Sequence, residues 1–195
     1  MHLSTTFCHL TVVLTLVTAA GGGAIAQDAP KPAAQTPAPA QPPANPISMS
    51  LRGFNMMVAG NIARAAEMMP EESYAFKPVD TVRSFGGIVG HVADAQYMFC
   101  AMILGEKPEP KNIEKTKTAK ADLVQAVKDA NAYCDKAYAG MTDAKGAEIT
   151  DMFGRKLARM ALLSINTAHN DEHYGNLVTY MRIKGIVPPS SEPRK

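Results

Sequence analysis

Two histidines, His169 and His173, stand four residues apart in "SINTAHNDEHYGNL", with Glu172 directly before the second. Residues at that spacing on a helix project from one face about a turn apart, so the pair can grip one ion. A third histidine, His91, lies in "GIVGHVADAQ". The chain has five histidines; the other two, His2 and His9, fall in the N-terminal leader. Three imidazoles with one open position describe a catalytic centre, since structural zinc is closed by four protein ligands. Imidazole suits zinc and nickel alike, and either is the expected divalent cofactor. Such a metal lowers the pKa of a water or thiol, or polarises a carbonyl. Hydrolysis and thiolate attack are therefore both open.

The same stretch fits H-x-x-E-H, the inverted zinc-protease pattern, with Glu172 as base. That pattern needs a further acidic ligand, and the only acid after His173 is Glu192 in the tail. Glu172 sits about 100° round the helix from His173, which places it at the rim of a pocket. Asp94, one turn after His91, is read either as a carboxylate that orients a ligand imidazole or as a cap at the bundle mouth. Asn55 and Asn61 are expected to line the pocket, and Tyr174 and Tyr180 to pack. Met56, Met57, Met68, Met69, Met98, Met102, Met152, Met160 and Met181 are spread at core spacing. They read as flexible core filling rather than as soft copper ligands.

Four helical segments must position these residues. The first covers about 49–69, with Leu51, Phe54, Val58, Ile62, Ala65 and Met69 at helical spacing. The second covers about 84–104, with Ser84 as N-cap and Gly105 as stop. Ile88, His91, Ala95, Met98 and Met102 share a stripe on it, and Gly86, Gly87 and Gly90 permit close approach of another backbone. The third covers about 120–139. The fourth covers about 156–183, with Leu157, Met160, Ala161, Ser164, Ile165, Ala168, Tyr174, Leu177 and Met181 as its buried face. No strong strand alternation is present, and "MTDAKGAEITDMFGR" reads as a turn-rich link. Four comparable helices imply an all-α bundle. The long polar connection after the second helix exceeds the ~2–8 residues usual between antiparallel neighbours, so the third runs parallel to the second. Cys100 and Cys134 then fall at similar heights at 1.5 Å per residue, close enough for a disulfide; two buried free thiols are the alternative.

Residues 1–26 read as a secretory signal: an apolar run, "FCHLTVVLTLVTAA", then small residues ending in "AIA". The run is too short for a comfortable span of ~20 apolar residues. Residues 27–46 are Pro, Ala and Gln and form a disordered tether. Residues 47–195 are one domain. The mature chain is expected outside the inner membrane, in the periplasm, without a membrane span. The formal net charge is +2 with both signs mixed, so nucleic acid is not a partner; the expected partner is a small-molecule substrate.

"SFGGIVGHVADAQYMFCAMILGEKP" together with "TAHNDEHYGNLVTYMRIKGIVPPSS" resembles the DinB-like family of four-helix-bundle metalloproteins. The resemblance covers nearly all of residues 47 to 191. It implies an up-down-down-up bundle, a metal held by His91, His169 and His173 at one end of it, and a homodimer. Known activities in the family include thiol-dependent transferases and an isomerase. The expectation drawn for this chain is a metal-dependent hydrolase or unassigned metalloenzyme of the cell envelope. The alternatives are a thiol-dependent S-transferase or isomerase, and a non-catalytic metal-binding or envelope interaction protein.

Overall fold

The computed structural model describes residues 43–193; the expected signal and most of the expected tether, residues 1–42, lie outside the described residues. Four long helices carry the fold: α1 (Pro46–Met68), α2 (Phe85–Leu104), α4 (Lys120–Ala139) and α6 (Arg159–Ile183). One-turn helices α3 (Ile113–Thr116) and α5 (Asp143–Gly146) interrupt the connections, and a hairpin of β1 (Ile149–Met152) and β2 (Arg155–Ala158) precedes α6.

Side-chain pairings fix the directions. From α2 to α4, Gln96 meets Asn131 and Cys100 meets Cys134, so these helices run parallel. From α1 to α4, Arg52 meets Asp135 while Glu67 meets Lys128, an antiparallel pair. From α2 to α6, His91 meets His169 while Arg159 reaches the Ile103 carbonyl, again antiparallel. The result is the up-down-down-up bundle, with α1 and α2 on one diagonal. A parallel neighbour forces the chain after α2 to return along the bundle, and residues 105–119 make that crossover. α2 is long and apolar enough to cross a membrane, but most of its apolar window is buried inside the bundle.

The termini follow local chemistry. The Ser84 hydroxyl accepts from the Gly87 N–H at 3.1 Å, and Gly105 closes α2 at φ 81°, a left-handed turn that costs glycine little. α1 starts at Pro46, three residues before the expected start. Proline fits a first helical position, and the Asp143 carboxylate accepts the Ile47 and Ser48 N–H groups at 3.1 and 2.8 Å.

The core has two apolar layers. One is centred on Ile62, Phe85, Val127 and Leu177. The other surrounds the Cys100–Cys134 disulfide, with Ile103, Tyr138, Leu162 and Leu163. Between them lies a buried polar layer of Asn55, Gln96, Asn166 and Asn170. The Asn166 and Asn170 amides donate to Asn55 Oδ1 at 3.5 and 3.3 Å, and Gln96 donates to Asn131 at 2.8 Å.

Three expectations change. α6 begins at Arg159, because residues 155–158 pair with 149–152 in register Ile149 with Ala158 and Met152 with Arg155. The hairpin turn holds Phe153 at φ 53° and Gly154 at φ 82°. Two left-handed residues match the twist of paired strands, although the bulky Phe153 costs on the order of 1 kcal/mol there. The buried face of α6 agrees with the expected one at Tyr174, Leu177 and Met181 but differs in the first half, where Ser164 and Ala168 are exposed while Asn166, Thr167 and Asn170 are buried. On α1, Phe54, Met56 and Met57 are more than half exposed, so those methionines do not fill the core.

Candidate metal centre

His91 on α2 and His169 and His173 on α6 converge on one point. The Nε2 of His169 lies 3.2 Å from the Nε2 of His91 and 3.2 Å from the Nε2 of His173. One ligand nitrogen from each ring lies within 4.8 Å of the others. Ligands placed tetrahedrally at 2.0–2.1 Å from one ion are about 3.3 Å apart, so the three lone pairs fit a shared cation. The group sits about a third of the way along α2 and near the middle of α6. It is therefore a side site in the α2–α6 seam, level with the polar layer, and not at an end of the bundle.

The outer nitrogens show how the rings are held. His91 Nδ1–H donates to Glu114 Oε2 at 3.1 Å, which leaves Nε2 as the free donor atom. The other oxygen of Glu114 takes Arg83 Nε–H at 2.9 Å. Glu114 comes from α3, and Asp94 fixes α3: its two carboxylate oxygens accept the Ile113 and Glu114 N–H groups, each at 2.9 Å. Gly90 allows the approach, since a Cβ there would stand 2.8 Å from Glu114 Cα. The Asn176 amide lies 3.4 Å from His173 Nδ1. His169 Nδ1 is buried without a hydrogen-bond partner among the described residues.

Burial sets the charge state. It pushes His169 down to about 4, helped by the neighbouring His173, His91 and Arg83. His173 is lowered by burial first and His91 next, against the opposite pull of Glu172 and Glu114. Both rings are thus neutral at neutral pH, the form that binds metal.

Two cavities meet the group. The more polar one, of about 560 Å³, is lined by Arg83, Glu114, Glu172, His173 and Asn176 together with Val82, Ile88 and Tyr180. An apolar one of about 660 Å³ reaches His91 and His169. Its wall includes Ala95, Met98 and Met102, so the α2 stripe that carries His91 faces a cavity for most of its length.

The other expected site residues divide. Glu172 lies on the polar rim. Asp94 touches α3 rather than a histidine, and the carboxylate on His91 belongs to Glu114. Asn55 is buried among Asn166 and Asn170, and neither it nor Asn61 lines either cavity. The Tyr174 hydroxyl accepts the Ser190 N–H, while the Tyr180 hydroxyl donates to the Arg83 carbonyl and so helps hold Arg83. Glu114, Arg83 and Phe153 are the functional candidates that sequence reasoning passed over. The one signal for Glu114 is the apolar Ile113 beside it, in an otherwise polar crossover.

Fold and site together define a helical bundle with a three-histidine group that can take a metal. The DinB superfamily profile matches residues 58–177, and the chain belongs to that superfamily. It is 28% identical over 126 residues to the uncharacterized protein YjoA of Bacillus subtilis strain 168, covering 62% of this chain and 79% of that one. The YjoA crystal structure is similar at TM-score 0.60 and 22% identity, over 74% of this chain and 99% of that one. A DinB-like protein from Bacillus cereus ATCC 10987 is similar at TM-score 0.62 and 18% identity, over 73% and 93%. A mycothiol-dependent maleylpyruvate isomerase shares the fold at TM-score 0.56 and 14% identity, over 67% of this chain and 60% of the isomerase.

Proposed function

We propose that this protein is a divalent-metal hydrolase of the cell envelope, acting on a small molecule as a homodimer outside the inner membrane. The observation that carries the reading is the convergence of three Nε2 atoms, two of the pairs at 3.2 Å, on partly buried rings. His91, His169 and His173 would hold zinc or nickel. When bound, that ion supplies charge that polarises a carbonyl and makes a nucleophile acidic at neutral pH.

The chain's own groups do the rest. Glu114 keeps the proton of His91 on Nδ1, so that Nε2 faces the site. Arg83 holds Glu114 in place. Glu172, an exposed carboxylate beside His173 in the polar cavity, takes the proton from the nucleophile and returns it to the leaving group. The apolar body of a substrate filling the second cavity would exclude water from the side of His91 and His169. The Cys100–Cys134 disulfide agrees with an oxidising compartment, where water is a more available nucleophile than a cytosolic small thiol.

A second reading, a thiol-dependent transferase or isomerase, has two supports. Two separate cavities suit two reactants, and the mycothiol-dependent isomerase shares the fold. The test is metal analysis followed by turnover of ester, amide and thiol-electrophile panels by metal-loaded protein, with His169→Ala as control. Ester or amide turnover lost in the variant supports the hydrolase. Turnover only with added thiol supports the transferase. Equal metal content in wild type, His91→Ala and His169→Ala refutes both.

A further inference from the structure

The apolar cavity has a built mouth. Met98, Phe99 and Met102 of α2, Pro108 and Pro110 of the crossover, and Phe153 at the hairpin tip form its wall. Phe153 belongs to neither core cluster, stands 70% exposed and holds a left-handed backbone. An aromatic kept exposed and strained at a cavity edge gains nothing from the fold's own packing, whereas contact with a ligand would repay it. Lys107, Lys111 and Lys115 stand at the same lip, and none makes an ion pair among the described residues. Lys111 lies over the Tyr97 ring at 5.4 Å, which leaves Lys107 and Lys115 facing the opening. Of the three acids there, Asp94 is committed to the α3 backbone and Glu114 to Arg83 and His91. Only Glu109 offsets the lysines. The volume, about 660 Å³, lies within the roughly 300–1,000 Å³ of small-ligand pockets.

We infer that this cavity binds an amphipathic carboxylic acid. Its acyl or aryl body lies under Phe153 against Met98 and Met102, and its carboxylate lies between Lys107 and Lys115. The inference rests on the metal-enzyme reading in one respect: the body of the ligand then ends beside His91 and His169, where a bond in it would react. Two methionines in the wall allow bodies of different shape.

Calorimetric titration of the full chain, stripped of metal by chelator, tests this without turnover. The probes are butanoate, hexanoate, octanoate, decanoate and 1-octanol. Burial of each added methylene tightens binding about fourfold, or about fifteenfold per two-carbon step. Octanoate should bind more tightly than 1-octanol, with a preference that fades as salt screens the lysines. Phe153→Ala should weaken octanoate by about tenfold or more, and because the residue is exposed the thermal transition should not move down. Lys107→Gln combined with Lys115→Gln should abolish the preference for octanoate and leave 1-octanol unchanged. Affinity that is flat with chain length, or indifferent to Phe153→Ala, overturns the apolar assignment. Equal binding of octanoate and 1-octanol by the unmutated chain overturns the carboxylate assignment. Metal analysis reports separately: a protein that takes no metal yet follows the chain-length series loses the enzyme reading and keeps this one.

Discussion

Gly90→Ala should weaken the metal centre without touching a ligand. The new methyl would stand 2.8 Å from Glu114 Cα, where ordinary contact begins at 3.4 Å. α3 must therefore retreat by about 0.6 Å. Glu114 Oε2 now lies 3.1 Å from His91 Nδ1, and the same retreat takes it to about 3.7 Å, beyond hydrogen-bond reach. His91 then loses the carboxylate that fixes its tautomer and ring plane. Loss of such a partner costs about 10–100-fold in metal affinity, and the same range is expected here. Stability should change less than affinity. Overpacking costs about 1–3 kcal/mol, and replacing a helical glycine by alanine returns up to about 1 kcal/mol. The assay is competitive zinc titration against a chromogenic chelator, with urea unfolding in parallel. Glu114→Ala should lower affinity to a similar degree, and adding Gly90→Ala to it should cost little more, because both act through one contact. An affinity within about twofold of the original, or losses that multiply in the double variant, would refute the reasoning.

Other outcomes follow from the same structure. In the metal-free protein His169 and His173 should take up a proton at more acidic pH than a free imidazole, because folded His169 is lowered from 6.5 to about 4 and His173 is lowered too; ring-proton NMR titrations from pH 7.5 to 4.5 measure this, and a midpoint at 6.5 or above for His169 would contradict it. The same shift has a sign for folding. Above pH 6.5 both states of His169 are neutral, while between 6.5 and about 4 the unfolded chain binds a proton that the folded one refuses. Metal-free protein should thus lose urea resistance across that window, and His169→Gln should flatten the loss. Reduction of the Cys100–Cys134 disulfide, whose partners are 34 residues apart, should cost about 3–4 kcal/mol on the chain-entropy account, read from urea midpoints with and without reductant. Asp94→Asn should lower zinc affinity through α3, and adding it to Glu114→Ala should bring little further loss.

The histidines were readable because their spacing is local: four residues on one helix and a stripe on another. The caps at Ser84 and Gly105 were readable for the same reason, and the parallel α2–α4 pair followed from connection length. What stayed hidden depends on contacts distant in sequence. Glu114 is one acid in a polar crossover, and only the 2.8 Å approach at Gly90 and the bonds from Asp94 give it a place. The hairpin was missed because four-residue strands carry too little alternation to outweigh a turn-rich composition. The first half of the α6 face differs from the expected one because its interior positions are held by asparagines, whereas Tyr174, Leu177 and Met181 in the second half are buried as expected. Asn166 and Asn170 are fully buried and both donate to Asn55 Oδ1 across the core, so polarity there does not mean exposure.

The disulfide and the crossover together close part of the chain into a covalent ring. Residues 100–134 form a loop that contains Glu114, the carboxylate on His91. Lys107 precedes Pro108, a bond that trypsin-like proteases do not cut, but Lys111 is exposed on that loop and precedes Asn112, a bond such a protease can cut. A single cut there leaves both halves tethered through sulfur, so the nicked protein runs as one species until reductant is added. In an environment rich in proteases, the segment that carries the carboxylate on His91 can be severed and still stay attached at both of its ends.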